Sequence, residues 1–336
     1  MFCSPREHLG CVGHLLADHR NKMETLPYHP LIEISQEQLK QAREFYGVGN
    51  AKRIQESLDQ VEEWCKKQDH LVDALPFLSR IILERLFIMA KGSIEGTKIK
   101  IDKFCTTRAM MPEICLNKTL EEFDQLSKSV SYVPLIKLNP ADNSRVMVTQ
   151  LTSENFDNIS LLSYIRYCYF IGEYRLNFDY SISERYIVDL KHANSSLLTK
   201  LNPIILKKGE ILCTEGYGTK IAGIHILNAP SFVDKFVFIL KQGLKEKVAS
   251  RLHVHNSYED LQKHISKEIL PKDYDGLAPP MAELREQWQE TLKSEETRRL
   301  VQNAERLVSN ESKRSVAKFN EEYLGMPGSF RKLNVD

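Results

Sequence analysis

The chain has 336 residues, of which 42% are hydrophobic and 27% are charged, the composition of a globular protein with enough apolar material for a sizeable core. Because the formal net charge is +1, no overall field attracts the protein to nucleic acid or to an anionic membrane, and any basic binding surface has to be local. No stretch approaches the roughly 20 apolar residues of a membrane-spanning helix, and the N-terminus lacks the long apolar core of a signal peptide. We therefore expect a soluble, cytoplasmic protein without a nucleic-acid partner.

The cysteines favour the same compartment. There are 7, an odd number, and no two form a Cys-x-x-Cys pair. This pattern disfavours a disulfide framework and a zinc site and favours a reducing environment. We expect neither a metal nor a cofactor.

The N-terminal third is predicted to be helical. Residues 1–34 form a loosely structured extension, because prolines and glycines interrupt them. Ser35 and Gln38 then have the spacing of a capping box, which begins a helix. The predicted helices span residues 35–46, 51–67, 75–89 and 94–108. They predict a compact helical domain at residues 35–125.

Strands and helices alternate from about residue 131 onward. The predicted strands span residues 132–138, 145–151, 185–190, 221–227 and 251–255. The predicted helices span residues 159–173, 197–215 with a break near Pro203, 231–244, and a segment that begins after Ser257. This alternation is typical of an α/β layer architecture, which we assign to residues 126–280. A charged helix and tail follow at residues 281–336.

The strand at 221–227 ends in Asn-Ala-Pro and leads directly into the apolar segment 231–244. Four apolar residues of this segment recur at helical spacing on one face: Phe232, Phe236, Ile239 and Leu240. Three charged residues lie on the other face: Asp234, Lys235 and Lys241. A buried strand that leads into such a helix suggests one wall and the lid of a ligand cavity. An ordinary amphipathic core helix is the alternative from periodicity alone.

Several segments, in order and correctly spaced, resemble the CRAL-TRIO lipid-transfer family. They are LERLFIMAKGSIEGTKIKIDKF (83–104) followed by Arg108 and Met-Pro-Glu (111–113), IVDLKHAN (187–194), GIHILNAP (223–230), LPKDYDG (270–276) and the C-terminal GSFRKLNVD. The resemblance covers residues 35–336. It is greatest to the branch of alpha-tocopherol transfer protein and cellular retinaldehyde-binding protein, with a C-terminus like that of insect members.

The resemblance implies an α/β protein that consists of an all-helical N-terminal domain and a CRAL-TRIO domain. In the CRAL-TRIO domain a mixed β-sheet forms the floor of a lipid cavity, helices flank the sheet, and a mobile gate helix follows Asn-x-Pro. By position the gate helix is residues 231–244. The implied function is an intracellular carrier, not an enzyme, that binds one hydrophobic small molecule. Tocopherol, retinoid, carotenoid-like and phospholipid cargoes all remain open.

The same reasoning predicts which side chains line the cavity. The candidates from the floor and walls are Tyr164, Tyr167, Val188, Leu190, Leu212 and Cys213. The candidates from the gate are Phe232, Val233, Phe236, Val237, Ile239 and Leu240. Ser160, Ser163 and the tyrosine hydroxyls are candidates for orienting a polar end of the ligand. For each residue taken alone, plain core is the favoured interpretation, and the prediction of a pocket concerns the group.

A basic cluster is predicted to bind phosphatidylinositol bisphosphate in membranes. Lys220, Lys247 and Arg251 match positions that bind phosphoinositide head groups in the tocopherol-transfer branch. The fourth basic position is Ala222 here, and Lys241 or Lys245 is a candidate to compensate. A solvated helix end is the alternative.

Three other functions compete with the carrier. His253 and His255 lie on one face of a strand and suggest a metal site, but no third ligand with matching spacing stands out, so structural histidines are favoured. Residues 216–220 lack the spacing of a phosphate-binding loop. A docking module of the same fold, which binds membranes or proteins and transports nothing, remains the principal alternative.

Overall fold

The structure is a computed structural model that describes residues 28–45, 47–157 and 159–314. The predictions for most of the N-terminal extension, for the tail beyond residue 314 and for the C-terminal motif lie outside the described residues. The expected α/β architecture, with helices before and around a mixed sheet, is confirmed in the part of the chain that is described.

The helical segment before the sheet has its own core. Its α-helices are α1 (Gln36–Glu44), α2 (Ala51–Cys65), α3 (Arg80–Met89), α4 (Ile94–Met110) and α5 (Pro112–Cys115). The predicted capping box begins α1, where Ser35 Oγ accepts from Gln38 N at 3.0 Å and Gln38 Oε1 accepts from Ser35 N at 2.9 Å. The apolar face of α2, which includes Ile54, Leu58 and Val61, packs with α3 and α4.

The helix predicted over residues 75–89 is wrong in its extent. A single 3₁₀ turn occupies Leu75–Phe77, and α3 begins only at Arg80. Ser79 has an extended backbone, and its Oγ accepts from Ile82 N at 3.3 Å, so it caps a new helix. Pro76 and the cap at Ser79 separate the two elements.

The sheet has five strands in the order in which they occur along the chain. They are β1 (Val130–Pro134), β2 (Ser144–Leu151), β3 (Ser183–Asp189), β4 (Ile221–Leu227) and β5 (Leu252–Val254). β1 is antiparallel to β2, and every other neighbouring pair is parallel, which gives the expected mixed sheet. The first strand ends earlier than the predicted 138, because the guanidinium of Arg145 binds the carbonyls of Leu135 and Ile136 at 2.8 and 2.5 Å.

Eight further α-helices flank or follow the sheet in the described residues. They are α6 (Leu161–Arg175), α7 (Leu197–Lys200), α8 (Pro203–Ile211), α9 (Val233–Gly243), α10 (Glu246–Ala249), α11 (Tyr258–Gln262), α12 (Met281–Leu292) and α13 (Glu295–Glu305). The predicted break at Pro203 separates α7 from α8, where Asn202 caps the new helix. The predicted C-terminal helix is two helices, because Ser294 caps α13 through a bond from Thr297 N at 3.1 Å.

The motif LPKDYDG forms a tight turn that requires its final glycine. A Cβ on Gly276 would lie 1.8 Å from the carbonyl oxygen of Leu270, which no side chain could accommodate. Asp275 occupies the left-handed region with φ 55°, a conformation that aspartate tolerates better than most residues. The departure from glycine at position 275 is therefore compatible with the turn.

A fully buried ion-pair network joins the helical segment to the rest of the molecule. Glu173 on α6 accepts from Arg108 Nη1 at 2.7 Å, and Lys118 Nζ lies 3.0 Å from its other carboxylate oxygen. The Arg108 guanidinium also donates to the carbonyls of Ala304 and Leu307, at 2.6 and 3.0 Å. Arg108, which belongs to α4, thus contacts both α6 and the C-terminal end of α13.

No helix in the described residues is long and apolar enough to cross a bilayer.

Candidate functional site

A cavity of about 250 Å³ lies between the sheet and helices α3, α4, α6, α8 and α9. Its wall is mostly apolar. The strands contribute Tyr132, Thr149, Glu184, Tyr186, Val188, Ile221 and Ile224. The helices contribute, among others, Ile82, Arg85, Leu86, Met89, Ile165, Cys168, Tyr169, Leu206 and Leu240. Such a concave apolar site with a few polar groups is the usual form of a small-molecule pocket.

Strand β3 forms the centre of the cavity floor because its side chains alternate between two faces. Glu184, Tyr186 and Val188 line the cavity, whereas the intervening Ile187 is fully buried in the main core. Arg185 points away from the cavity and binds Asp142 with Nη2 at 2.7 Å. Because every second residue of β3 faces the cavity, the floor is polar at one end, at Glu184, and apolar at the other, at Val188.

The segment predicted as the gate is an α-helix that covers one part of the cavity. Asn228 has φ 49° and donates from Nδ2 to Asp189 Oδ1 at 2.7 Å, which fixes the turn after β4. Helix α9 then begins at Val233, and Leu240 and the following Leu244 reach the cavity. The predicted charged face is exposed. An apolar side chain also lies outside: Phe238 is 64% exposed.

The structure brings four of the predicted lining residues together in the cavity wall: Tyr164, Val188, Cys213 and Leu240. The other candidates lie elsewhere. Tyr167, Leu190 and Phe236 are buried in the main core, which Val233 and Val237 pack against, and Leu212 is buried in a smaller cluster beside Ile165. Ser160 is exposed and caps α6 by accepting from Ser163 N, while Ser163, Phe232 and Ile239 are partly exposed.

Apart from the hydroxyl of Tyr164, the polar side chains of the cavity were not predicted from the sequence. Tyr186 donates to Glu184 at 2.5 Å, and Arg175 binds the same carboxylate at 2.9 Å. Tyr164 and Thr149 share a hydrogen bond of 2.6 Å. Glu184 and Tyr186 could have been found, because they precede Val188 at two-residue spacing. Arg85 could not, because it comes from a helix about 100 residues earlier.

The three residues that are predicted to bind phosphoinositides, Lys220, Lys247 and Arg251, lie at one corner of the molecule, called the basic corner below. Arg251 follows Lys247 by one helical turn, and its guanidinium binds the carbonyl of Ile221, next to Lys220. Within the described residues none of the three cations has a carboxylate within 4.0 Å. Lys245, considered as a substitute for the missing fourth cation, is held by Glu215 at 2.7 Å.

His253 and His255 belong to a cluster of four imidazoles. His225 on β4 binds His255 at 2.9 Å between ring nitrogens, and the ring of His264 lies 4.8 Å from that of His253. Gly223 leaves room for this cluster, since a Cβ there would lie 2.6 Å from the His225 ring. Among the described residues, no three His, Cys, Asp or Glu side chains are arranged to hold a metal ion.

Comparison with known families identifies one domain of the chain. The profile of the family described as CRAL/TRIO domain matches residues 118–276, from just before the sheet to the LPKDYDG turn. The chain therefore contains a CRAL/TRIO domain, and the resemblance inferred from its motifs is confirmed. Proteins of this family are generally lipid-binding transfer proteins.

The individual relatives match over a shorter region. Over 93 residues the chain is 33% identical to the alpha-tocopherol transfer protein-like protein of Mus musculus and 32% identical to that of Homo sapiens, which is 27% of this chain and of each relative. Over 95 residues it is 28% identical to clavesin-2 of Homo sapiens, 28% of this chain and 29% of the relative. These matches span less than a third of the relatives' length. The crystal structure of Sfh5 aligns with 72% of this chain and 98% of its own, at 11% identity and a TM-score of 0.42.

Proposed function

We propose that this protein is a cytoplasmic carrier that binds one hydrophobic molecule in the cavity and exchanges it at membranes that contain phosphatidylinositol bisphosphate. The observation that supports the proposal most directly is the apolar cavity beside α9, with Leu240 and Leu244 in its wall. We also propose the division into a helical domain (35–125), a lipid-binding domain (126–280) and a C-terminal part (281–336).

The energetics of burial explain why such a cavity suits transport. A chain of roughly 20 carbons gains on the order of 10–16 kcal/mol when it leaves water, at about 0.8 kcal/mol per CH₂. Relative to a bilayer the gain is close to zero, because lipid is equally apolar. A small movement of the gate helix at a membrane surface is therefore sufficient for release.

Extraction of the purified protein tests the carrier. We expect organic solvent to release one lipid per protein molecule, which mass spectrometry will identify. Repeated purification of an empty protein that still binds liposomes would instead support the docking module.

A charge at Leu240 should abolish retention of the cargo. The variant Leu240→Asp removes a leucine contact worth about 1.5–3 kcal/mol and places a carboxylate in an apolar wall, so we expect at least tenfold less co-purified lipid. The measurement is lipid per protein by mass spectrometry, with folding checked by circular dichroism.

Gln242→Asp is the matched control, because it introduces the same carboxylate at an exposed position of the same helix. It should retain lipid like the unchanged protein. Equal lipid content in both variants would contradict the role of α9 as the cavity cover.

Membrane binding should depend on the exposed cations at the basic corner. Each Lys or Arg near an anionic surface contributes about 1 kcal/mol. Lys220→Glu combined with Lys247→Glu should therefore weaken binding to liposomes with phosphatidylinositol bisphosphate by at least roughly 30-fold. The measurement is liposome co-sedimentation at low and at high salt, and the difference should shrink as salt rises.

The control is Lys137→Glu with Lys191→Glu, which changes the net charge equally at two other exposed lysines. If both double variants lose the same affinity, the head-group site is disproved and only net charge matters.

A further inference from the structure

Two parts of the cavity wall are charged. One is Glu210 of α8, which accepts from Thr214 Oγ1 at 3.0 Å and lies 3.8 and 3.9 Å from Lys207 and Lys245. The groups of the other part come from three separate elements. Arg85 belongs to α3, Arg175 to α6 and Glu184 to β3. The rest of the wall is largely aliphatic and aromatic. An apolar cargo alone gives no reason for charged groups in this wall, because desolvating them costs free energy.

The two carboxylates in this region are already fully engaged. Asp179 binds Arg145 Nε at 3.0 Å and Arg175 Nη2 at 2.6 Å. Glu184 binds Arg175 Nη2 at 2.9 Å and the Tyr186 hydroxyl at 2.5 Å. These bonds satisfy Arg145 and Arg175.

Arg85 is the cation that this network does not neutralise. Its one hydrogen bond to the described residues runs from Nη1 to the carbonyl of Arg175 and is long, at 3.5 Å. No carboxylate of the described chain lies within 4.0 Å of its guanidinium. Burial lowers the pKa of Arg85, which shows how unfavourable the position is for a positive charge.

The count of charges gives the same result. Arg85, Arg145 and Arg175 are three cations in contact with only two anions, Asp179 and Glu184, so one positive charge is left over in this network. The other carboxylate of the wall, Glu210, faces Lys207 and Lys245 instead. Glu84, the residue before Arg85, does not balance it, because Arg43 binds Glu84 at 2.7 Å. Among these cations Arg85 and Arg175 line the cavity, and only Arg85 lacks an anion.

A second unused donor lines the same cavity. Tyr132 is 4% exposed, and within the described residues its hydroxyl makes no hydrogen bond. A guanidinium whose one hydrogen bond is long and a buried phenol that makes none are suited to a ligand with several acceptor oxygens.

We propose that the cargo is a lipid with an anionic head group, a carboxylate or a phosphate monoester, and that Arg85 binds this head group. The inference rests on the proposed carrier function and makes it specific. The anion restores charge balance in the buried network, and its chain fills the apolar part of the cavity.

The test compares two probes that differ only in the head group. Delipidated full-length protein is titrated with oleic acid and with oleyl alcohol at neutral pH. We expect the acid to bind at least tenfold more tightly. A third titration with oleoyl lysophosphatidic acid distinguishes the two anions, because the preferred head group will bind more tightly.

Two arginine variants test whether Arg85 causes the preference for the acid over the alcohol. Arg85→Met should bind acid and alcohol with equal affinity, while its affinity for the alcohol stays within about twofold. Arg53→Met, at an exposed position of α2, should keep the preference of the unchanged protein. If Arg85→Met does not fold, the affinities of the unchanged protein for oleic acid and oleyl alcohol still test the anionic head group.

The outcomes separate this inference from the carrier. Equal affinity of the unchanged protein for the acid and the alcohol overturns the anionic head group and leaves the carrier intact. Failure to bind any of the three probes, together with the absence of an extractable lipid, overturns both. An acid preference that survives in Arg85→Met overturns the assignment to Arg85.

Discussion

Replacing Glu173 by glutamine should lower the free energy of unfolding by about 3–5 kcal/mol, because the change leaves Arg108 buried without a carboxylate and Lys118 with only the more distant Glu305, at 3.8 Å. Both cations stay in place, and neither side chain reaches water. Urea denaturation followed by circular dichroism measures the loss.

The control for this prediction is Glu295→Gln, which breaks a solvent-exposed pair with Arg298. Exposed pairs contribute about 0–1 kcal/mol, so this variant should unfold close to the unchanged protein. Equal stability of Glu173→Gln would show that the buried network contributes little to the fold.

Acidification from pH 7 to pH 5 should destabilise the protein by about 4 kcal/mol through two buried histidines. Burial and the neighbouring His255 and His264 lower the pKa of His225 to about 2, and burial together with Arg145 lowers that of His29 to about 4. The unfolded chain takes up protons below its ordinary pKa of 6.5, whereas the folded positions do not, so stability falls as the pH falls. At pH 5 each group contributes about 2 kcal/mol to the loss.

The measurement is urea unfolding at pH 7 and at pH 5. His225→Asn should remove roughly half of the difference between the two pH values. His192→Gln, at a partly exposed position, should leave the difference unchanged. A pH-independent free energy of unfolding would disprove the buried, neutral state of the two imidazoles.

The order of the elements could be predicted because local signals determine it. The apolar spacing of α2, the Asn-x-Pro break after β4 and the capping serines all act within a few residues, and the structure places helices and strands where these signals lie. The error at residues 75–89 has the same origin: Pro76 and Ser79 are strong local signals that the hydrophobic pattern concealed.

The cavity was predicted less completely, because its wall is assembled from distant segments. Periodicity showed that Phe236 and Leu240 share a face of α9, but not that Phe236 packs in the main core while Leu240 reaches the cavity. The polar part of the cavity wall was also only partly predictable from the sequence. The alternation of β3 gives the faces of Glu184 and Tyr186, whereas the position of Arg85 depends on how α3 packs against the sheet.

The contacts of Arg108 also affect the order of events during synthesis of the chain. Two of its acceptors are the carbonyls of Ala304 and Leu307, which a ribosome adds almost 200 residues after the arginine. Until those residues are available, the guanidinium of Arg108 lacks two of its native acceptors, and the junction between α4, α6 and the end of α13 cannot close as it does in the folded protein. Burial of α4 against α6 is therefore coupled to synthesis of residues 304–307, and a chain that ends before them would be left with an incompletely folded, protease-sensitive junction.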